Sequence, residues 1–251
     1  MNAYFLTDQG KVRNHNEDAG GIFTNDDKQI LALIADGMGG HNAGDIASEM
    51  VIAHMSKAWQ KTSYFQYPED TENWLSQTIL EVNNKIFSYA DKHEECNGMG
   101  TTVVAVICSN DFITIGHIGD SRCYVSNTQG LKQVTEDHSL VNELVRSGQI
   151  SKADAEYHPR KNVLLKALGT ELNVKADIKT IGWDKEDMVL LCSDGLTNKF
   201  QDEELLEYIR NEQPLSTKVK QLVDEANTRG GEDNISIAIV EYDDTLEEGE
   251  S

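Results

Sequence analysis

Short extended segments alternate along the chain with long amphipathic stretches. The continuous apolar run ILALIA at residues 30–35 is typical of a strand that is buried on both faces. Three short segments at 101–108, 111–118 and 122–126 follow one another closely, which indicates an antiparallel meander. The other segments that we expect to be extended are residues 2–7, 18–24, 175–181, 187–193 and 234–242.

Three stretches repeat apolar residues at spacings of three and four, so each predicts an amphipathic helix. They cover residues 42–60, 72–92 and 215–228, and the second carries Leu75 and Ile79 on its apolar stripe. Consecutive strands combined with paired helices favour an α+β fold, in which helices cover antiparallel sheets.

Two segments depart from this pattern. Residues 139–168 are polar and irregular with short helical pieces, as in a lid or substrate-facing flap. Residues 243–251 are strongly acidic, and we expect a disordered tail. Since no stretch rich in Pro, Ser or Gly divides the remainder, we expect one domain over residues 1–242.

The formal net charge of −21 limits the partners that the chain can bind. Nucleic acids and anionic membranes are excluded, because binding them depends on Lys and Arg. The acids either keep the protein soluble or hold cations, and composition alone does not separate these interpretations. The four cysteines lack CxxC spacing, which argues against a zinc site. No apolar run approaches the roughly 20 residues of a membrane span, so we expect a cytoplasmic protein.

Four aspartates lie where apolar strands begin or end. Asp36, Asp120 and Asp194 each follow an apolar run, and Asp233 directly precedes one. An Asp-Gly pair after a strand is also a common hairpin turn. Strands of a packed sheet can gather their ends at one edge, where four carboxylates would repel one another unless cations lay between them. Mg²⁺ and Mn²⁺ prefer such oxygen ligands, and the carbonyl of Gly37 could approach an ion without steric hindrance.

A second polar cluster lies near the N-terminus, in the sequence RNHNED at 13–18. The planar guanidinium of Arg13 can hold two phosphate oxygens at once. Glu17 and Asp18 could bind waters on a metal ion. Taken alone, the cluster also fits a polar surface loop.

Together these motifs resemble the metal-dependent protein phosphatase family, type 2C, and in particular its compact bacterial members. They occur in the same order across nearly the whole chain, without a long gap. The matching segments are DQGKVRNHNED (8–18), ALIADGMGGHNAG (32–44), GMGTTVV (98–104), GHIGDSRCY (116–124), TEDHSLV (135–141), HPRKNVLLKALG (158–169), LLCSDGL (190–196) and GGEDNISIAIV (230–240).

The resemblance implies a four-layer α-β-β-α sandwich, in which two antiparallel β-sheets are flanked by helices and a cleft holds two to three Mn²⁺ or Mg²⁺ ions. It implies that Asp36 bridges two ions. One of these is also bound by the carbonyl of Gly37, and the other by Asp194 and Asp233. A third ion, when present, would be bound by Asp120 together with Asp194.

The resemblance also implies roles for four further residues. Arg13 would bind the substrate phosphate, Asp18 would act through a metal-bound water, and Asn234 would support the site together with Glu17. Many eukaryotic members carry a histidine, the proposed proton donor, where this chain has Met38. The nearest histidine here is His41, which becomes the candidate general acid.

The implied function is hydrolysis of phosphoserine and phosphothreonine in proteins by a water that bridges two ions. The implied protein is a monomer, and its partners are phosphoproteins that include a cognate serine/threonine kinase. The alternative is a noncatalytic binding module of the same fold, which would lack one or more of the metal-binding acids. A cation buffer is disfavoured because the chain has no EF-hand loop. A dinucleotide-binding loop is also disfavoured, because Asn42 stands where the third glycine of G-x-G-x-x-G is required.

A cysteine-based phosphatase is unsupported. That mechanism needs an arginine six residues after the nucleophilic cysteine. The residues at that distance from the four cysteines are Thr102, Thr114, Gln129 and Asn198.

Overall fold

The computed structural model describes residues 1–39 and 43–242. In chain order its strands are β1 (Asn2–Asp8), β2 (Asp18–Thr24), β3 (Ile30–Met38), β4 (Gly100–Thr101), β5 (Val103–Cys108), β6 (Phe112–Ile118), β7 (Arg122–Asn127), β8 (Gly130–Gln133), β9 (Asp177–Gly182), β10 (Met188–Cys192) and β11 (Ile235–Glu241). Its helices are α1 (Ala43–Trp59), α2 (Pro68–Lys92), α3 (Leu140–Arg146), α4 (Lys152–Glu156), α5 (Asp194–Thr197), α6 (Asp202–Arg210) and α7 (Leu215–Thr228), and a 3-10 turn lies at Glu94–Cys96.

The strands form two antiparallel sheets. The first has the order β1-β11-β10-β7-β8, and the second has the order β2-β3-β5-β6-β9 with β4 paired to β3. Each sheet joins strands from distant parts of the chain, so the N-terminal strand β1 lies beside the last strand β11. The first sheet therefore joins the two ends of the described chain, at β1 and β11, to its middle, at β7 and β8.

Three layers of apolar contacts separate the sheets and helices. Leu31 and Leu33 of β3 face α1 and α2, whereas Ile34 on the opposite face packs between the two sheets. A third layer joins the outer face of the first sheet to α6 and α7. Both faces of β3 are therefore covered, which explains its uninterrupted apolar run. The predicted α-β-β-α order of layers is confirmed.

The structure corrects the expected elements at several points. Strand β8 and the helices α5 and α6 were not predicted: β8 is a half-exposed edge strand, α5 is a four-residue turn of helix, and α6 buries only Leu205 and Ile209. The segment expected to be one strand at 101–108 is broken at Thr102. Helix α2 begins four residues earlier than expected, at Pro68, where a missing N–H costs nothing.

The irregular segment predicted at 139–168 contains the short helices α3 and α4. The acidic residues 243–251 lie outside the described residues. In the described ranges, no helix is both long and apolar enough to cross a bilayer.

Candidate active site and metal centre

Strand ends from both sheets bring five aspartates to one cleft. Asp18 begins β2 and lies directly opposite Asp36 of β3. Asp120 lies in the turn between β6 and β7, Asp194 begins α5 immediately after β10, and Asp233 immediately precedes β11. The expected meeting of strand-end acids is therefore found, and Asp18 from the N-terminal cluster joins the four.

The electrostatics of these carboxyls confirm that they are neighbours. The pKa of Asp36 is raised well above its ordinary value, first by burial and then by the charges of Asp18, Asp194, Asp120 and Asp233. Burial is also the largest cause for Asp18 and Asp120, whose pKa rises to about 7, and for Asp194, whose pKa rises to about 6. A cluster of this kind opposes its own ionisation, and a cation would relieve that opposition.

One oxygen in the cleft lacks a partner. Asp18 is buried, and its Oδ2 accepts a hydrogen bond of 2.7 Å from the Ser193 hydroxyl. Its Oδ1 is buried as well and has no hydrogen-bond partner within the described ranges. A buried carboxylate oxygen without a partner is costly and calls for an ion or an ordered water. The side-chain atoms of these aspartates that could bind a metal ion are all oxygens, which suits Mg²⁺ or Mn²⁺.

Gly37 sits where no side chain could fit. A Cβ there would lie 2.1 Å from the carbonyl oxygen of Gly44 and 2.5 Å from that of Glu17. The Gly37 amide donates to the Glu17 carbonyl over 3.1 Å. The glycine after Asp36 thus lets the N-terminal polar loop pack directly against the end of β3 and the start of α1.

Asn234 holds that loop in place. Its Oδ1 accepts from the amide of Glu17 over 2.8 Å, and its Nδ2 donates to the carbonyls of Gln9 at 2.8 Å and His15 at 3.0 Å. Only 5% of Asn234 is exposed. Its supporting position was expected, and the structure shows that its bonds position the backbone of Glu17.

Arg13 lies at the mouth of the cleft. Its Nη2 donates to Asp233 Oδ2 over 2.8 Å, and half of its side chain is exposed. The bond to Asp233 is the largest cause that raises the pKa of Arg13. The Arg13 guanidinium thus lies beside Asp233, and its charge, like that of Arg122, partly offsets the rise in the pKa of Asp194 that burial causes.

Hydroxyl and amide partners of the acids escaped the sequence analysis. Thr102 Oγ1 accepts from the Asp36 amide over 2.9 Å and bonds the Ser121 hydroxyl at 2.7 Å. Asn198 Nδ2 donates to Asp194 Oδ2 over 3.1 Å. Thr102 and Ser121 lie inside the motifs GMGTTVV and GHIGDSRCY, and Asn198 lies two residues after LLCSDGL, but no feature of the sequence indicated which acids they bond.

A cleft of about 930 Å³ extends from Asp120 and Asp194 along the segment 139–168. The segment lines it with residues that include Arg146 and Tyr157, and α6 lies on the opposite side. His41, the candidate proton donor, lies outside the described residues.

The chain matches a family of known enzymes. The sequence model of the family described as protein phosphatase 2C matches residues 10–235. The serine/threonine phosphatase stp of Listeria monocytogenes is 49% identical over 243 residues, which cover 97% of this chain and 96% of that protein.

Solved structures agree with this match. The crystal structure of the serine/threonine phosphatase Stp1 from Staphylococcus aureus superposes with a TM-score of 0.92 at 36% identity, covering 96% of this chain and 94% of that one. The catalytic domain of the serine/threonine protein phosphatase PstP, in complex with two manganese ions, superposes with a TM-score of 0.84 at 29% identity, covering 95% and 96%. The motifs, the fold and these matches agree, and the chain belongs to the protein phosphatase 2C family.

Proposed function

We propose that this chain is a protein serine/threonine phosphatase whose activity depends on Mn²⁺ or Mg²⁺ held in the acidic cleft. The observation that supports this most strongly is that Asp18, Asp36, Asp120 and Asp194 converge and that the pKa of each is raised. The buried Oδ1 of Asp18 has no hydrogen-bond partner among the described residues. Family membership supports the same reaction. The noncatalytic alternative has no support, since each expected acid is present.

The residues of the cleft could hold a pair of ions and, in addition, a third ion. Asp36 would contact two ions, with the carbonyl of Gly37 on one and Asp194 and Asp233 on the other. Asp120 would join Asp194 at the third. When bound, such ions make a water nucleophilic at neutral pH and neutralise phosphate charge.

The chain's own groups then bind and orient the substrate. Arg13, exposed at the cleft mouth, would donate two hydrogen bonds to the phosphate and hold it against the acids. Asn234 fixes the Glu17 backbone, and Asp18 would hold a water of the metal centre through its unpartnered Oδ1. Positioning and electrostatic stabilisation are what phosphoryl transfer requires of a protein.

Serine and threonine leave as basic alkoxides, so a proton donor is needed. We assign this role to His41, because Met38 cannot donate a proton. General acid catalysis contributes roughly 10²–10⁴-fold. His41→Ala should therefore impair hydrolysis of a phosphothreonine peptide strongly and spare an aryl phosphate, whose phenolate leaves unaided. Equal losses on the two substrates would contradict the assignment.

The segment 139–168 is proposed to select among phosphoproteins. It lines the long cleft beside Asp120 and Asp194, and Tyr157 on it is 86% exposed. Substitutions of His158 or Arg160 should change the ranking of phosphopeptides more than the hydrolysis of an aryl phosphate. Equal effects on all substrates would indicate a purely structural segment.

We further propose that the substrates include a serine/threonine kinase that this phosphatase opposes, and that the chain acts as a monomer in the cytoplasm. Its four cysteines are buried and unpaired, which suits a reducing compartment. Light scattering during gel filtration tests the monomer. A phosphoproteome comparison of cells carrying wild type or Asp36→Asn tests the substrates, and an unchanged phosphorylation of every serine/threonine kinase would contradict the kinase proposal.

The function itself is tested by phosphate release from a phosphothreonine peptide in Mn²⁺. Purified wild type and the matched control Asp27→Asn, which changes an exposed turn acid, should both turn over. Asp36→Asn should be inactive with an unchanged circular dichroism spectrum. No release by wild type at any Mn²⁺ concentration would favour the binding module instead.

A further inference from the structure

Two histidines stack against each other beside the cleft. His117 is the second-to-last residue of β6 and His138 lies two residues before α3, and their ring centroids are 4.4 Å apart with planes inclined by 22°. One potential ligand atom from each of them and one from Asp177 lie within 4.8 Å of one another. At first sight, this group is a candidate for a further metal site.

The hydrogen bonds assign the group a different role. The Gly119 amide donates to His138 Nδ1 over 3.0 Å, so Nδ1 carries a lone pair. A neutral imidazole has one N–H, which then lies on Nε2 and donates to Asp177 Oδ2 over 3.2 Å. A metal at Nε2 would move that proton to Nδ1, where it would face the Gly119 N–H. His117 Nε2 is also occupied, since it donates to the Gly119 carbonyl over 3.1 Å.

Gly119 is thus held on both sides of its residue. Its carbonyl accepts from His117 Nε2 and, over 2.8 Å, from the backbone amide of His138, while its own amide donates to the His138 ring. Its φ of +113° is a conformation that favours glycine, and a Cβ would lie 2.5 Å from Thr102 Cγ2. The next residue is Asp120, so these bonds fix the backbone from which that acid projects.

His138 also lies at the base of the segment 139–168. Its carbonyl accepts from the amide of Leu165, at the far end of the segment, over 2.7 Å. Asp177, the partner of its ring, also lies 3.7 Å from the Lys166 ammonium. Both ends of the segment and the backbone before Asp120 therefore meet at one residue, His138, through its backbone and its ring.

We propose that His138 is a positioning residue that couples the base of the segment 139–168 to the metal ligand Asp120. The His138 ring holds the Gly119 amide and is itself oriented by Asp177. His117 holds the other side of Gly119. A change at the base of the segment, as when a phosphoprotein binds there, would thereby alter how Asp120 is presented to an ion. The proposal rests on the proposed metal-binding role of Asp120, and its test has one arm that needs no metal.

The first arm uses ¹⁵N NMR of the chelated protein. The imidazole shifts should show the proton of His138 on Nε2, and the Gly119 amide should exchange slowly with solvent. His138→Ala should speed that exchange, and His138→Asn should keep it slow, because the Asn Oδ1 takes the place of Nδ1 as acceptor. A proton on Nδ1, or an exchange rate that His138→Ala leaves unchanged, would overturn the proposal.

The second arm titrates Mn²⁺ by calorimetry, with the EPR signal of free Mn²⁺ as an independent count. Loss of an outer partner of a metal ligand typically weakens binding by about 10–100-fold. His138→Ala should weaken the Asp120-dependent step by about tenfold or more, and His138→Asn should recover most of the loss. Asp177→Asn should give an intermediate loss. An isotherm of His138→Ala equal to that of wild type would contradict the coupling.

Asp120→Ala separates the two proposals. If it abolishes one binding step, Asp120 is a ligand and the His138 variants report on its positioning. If it leaves every step unchanged, the metal role of Asp120 and its coupling to His138 are both wrong. Slow exchange at Gly119 would then still establish the histidine clamp, that is, the hold of His117 and His138 on Gly119. Should His138→Ala fail to fold, His138→Asn and Asp177→Asn carry the same comparison.

Discussion

The pKa values of acidic side chains are shifted in opposite directions in two regions of this phosphatase. On the surface, Arg229 bonds Glu225 at 2.9 Å and Glu204 at 2.9 Å while its guanidinium carbon lies 4.3 Å from the centroid of the Phe200 ring. Its hydrogen bond is the largest cause that lowers the pKa of Glu204. In the cleft, burial and like charges raise the pKa of Asp36, Asp18, Asp120 and Asp194.

The difference separates structural acids from functional acids. Paired surface acids contribute modestly to stability, because water already solvates them well. The cleft acids oppose folding whenever they are ionised without a cation, and under the proposed function their arrangement serves ions and phosphate. Removing an acid from the cleft should therefore stabilise the metal-free protein and destroy activity. Disturbing the surface pairs should slightly destabilise the protein and leave its activity unchanged.

The largest effect is expected from Asp36→Asn. Turnover should fall by about 10³-fold or more, as for other residues that act as part of one catalytic unit. The melting temperature of the chelated variant should rise above that of chelated wild type, because one buried like charge is gone. Asp233→Asn should also abolish turnover. A chelated Asp36→Asn protein that melts below wild type would contradict the account of the cleft.

Asp120→Ala should have a smaller effect, because we propose that Asp120 holds only the third ion. We expect turnover to drop while calorimetry still detects the two other Mn²⁺ sites. Loss of one of those two would show that Asp120 is a ligand of the central pair instead.

Arg13→Ala should mainly raise KM for a phosphopeptide. The guanidinium contact to phosphate is made in the bound ground state as well as during reaction. Steady-state kinetics over a range of peptide concentrations separates KM from kcat. A variant that lost only kcat would indicate that Arg13 acts in the transition state alone.

The chelated protein should lose stability as pH rises. The folded-state pKa values of Asp18, Asp120 and Asp194 are about 7, 7 and 6, above the ordinary value of 3.8. A raised carboxyl pKa favours folding below the unfolded value, and that contribution disappears as pH passes through the folded value. Melting temperatures without metal should therefore fall from pH 5 to pH 8, and Asp36→Asn should flatten the slope. Mn²⁺ should raise the melting temperature more at pH 8 than at pH 5.

The smallest effect is expected at the surface. Arg229→Ala should cost about 0.3–1 kcal/mol of unfolding free energy, the usual range for exposed ion pairs. Urea unfolding measures this loss. In activity assays at several Mn²⁺ concentrations, the kcat and the Mn²⁺ affinity of the variant should equal those of wild type. A large loss of activity would show that this cluster is coupled to the cleft.

The sequence predicted the parts of the molecule that follow from local pattern. The run at β3 was identifiable because both of its faces are buried, and Asp36 and Asp194 were identifiable because each follows such a run. The partners of these acids were not. Thr102 and Ser193 bond residues that are 66 and 175 positions away in the chain, a pairing that only the folded sheets create.

The histidine clamp illustrates the same limit. His117 and His138 lie in different motifs, and nothing in their spacing indicates that both hold Gly119. Strand β8 escaped prediction for a simpler reason, since none of its residues is buried. Helix α6 carries Leu205 and Ile209 at helical spacing after the capping box of Gln201 and Glu204, so its signal was present in the sequence and was missed.

We expect ions bound in the acidic cleft to carry the activity. The most direct test is the release of phosphate from a phosphothreonine peptide by protein stripped with excess chelator and then titrated with Mn²⁺. We predict no turnover in chelator, saturable recovery with Mn²⁺, and a parallel rise in melting temperature that Asp36→Asn lacks. Full turnover in excess chelator would contradict this expectation.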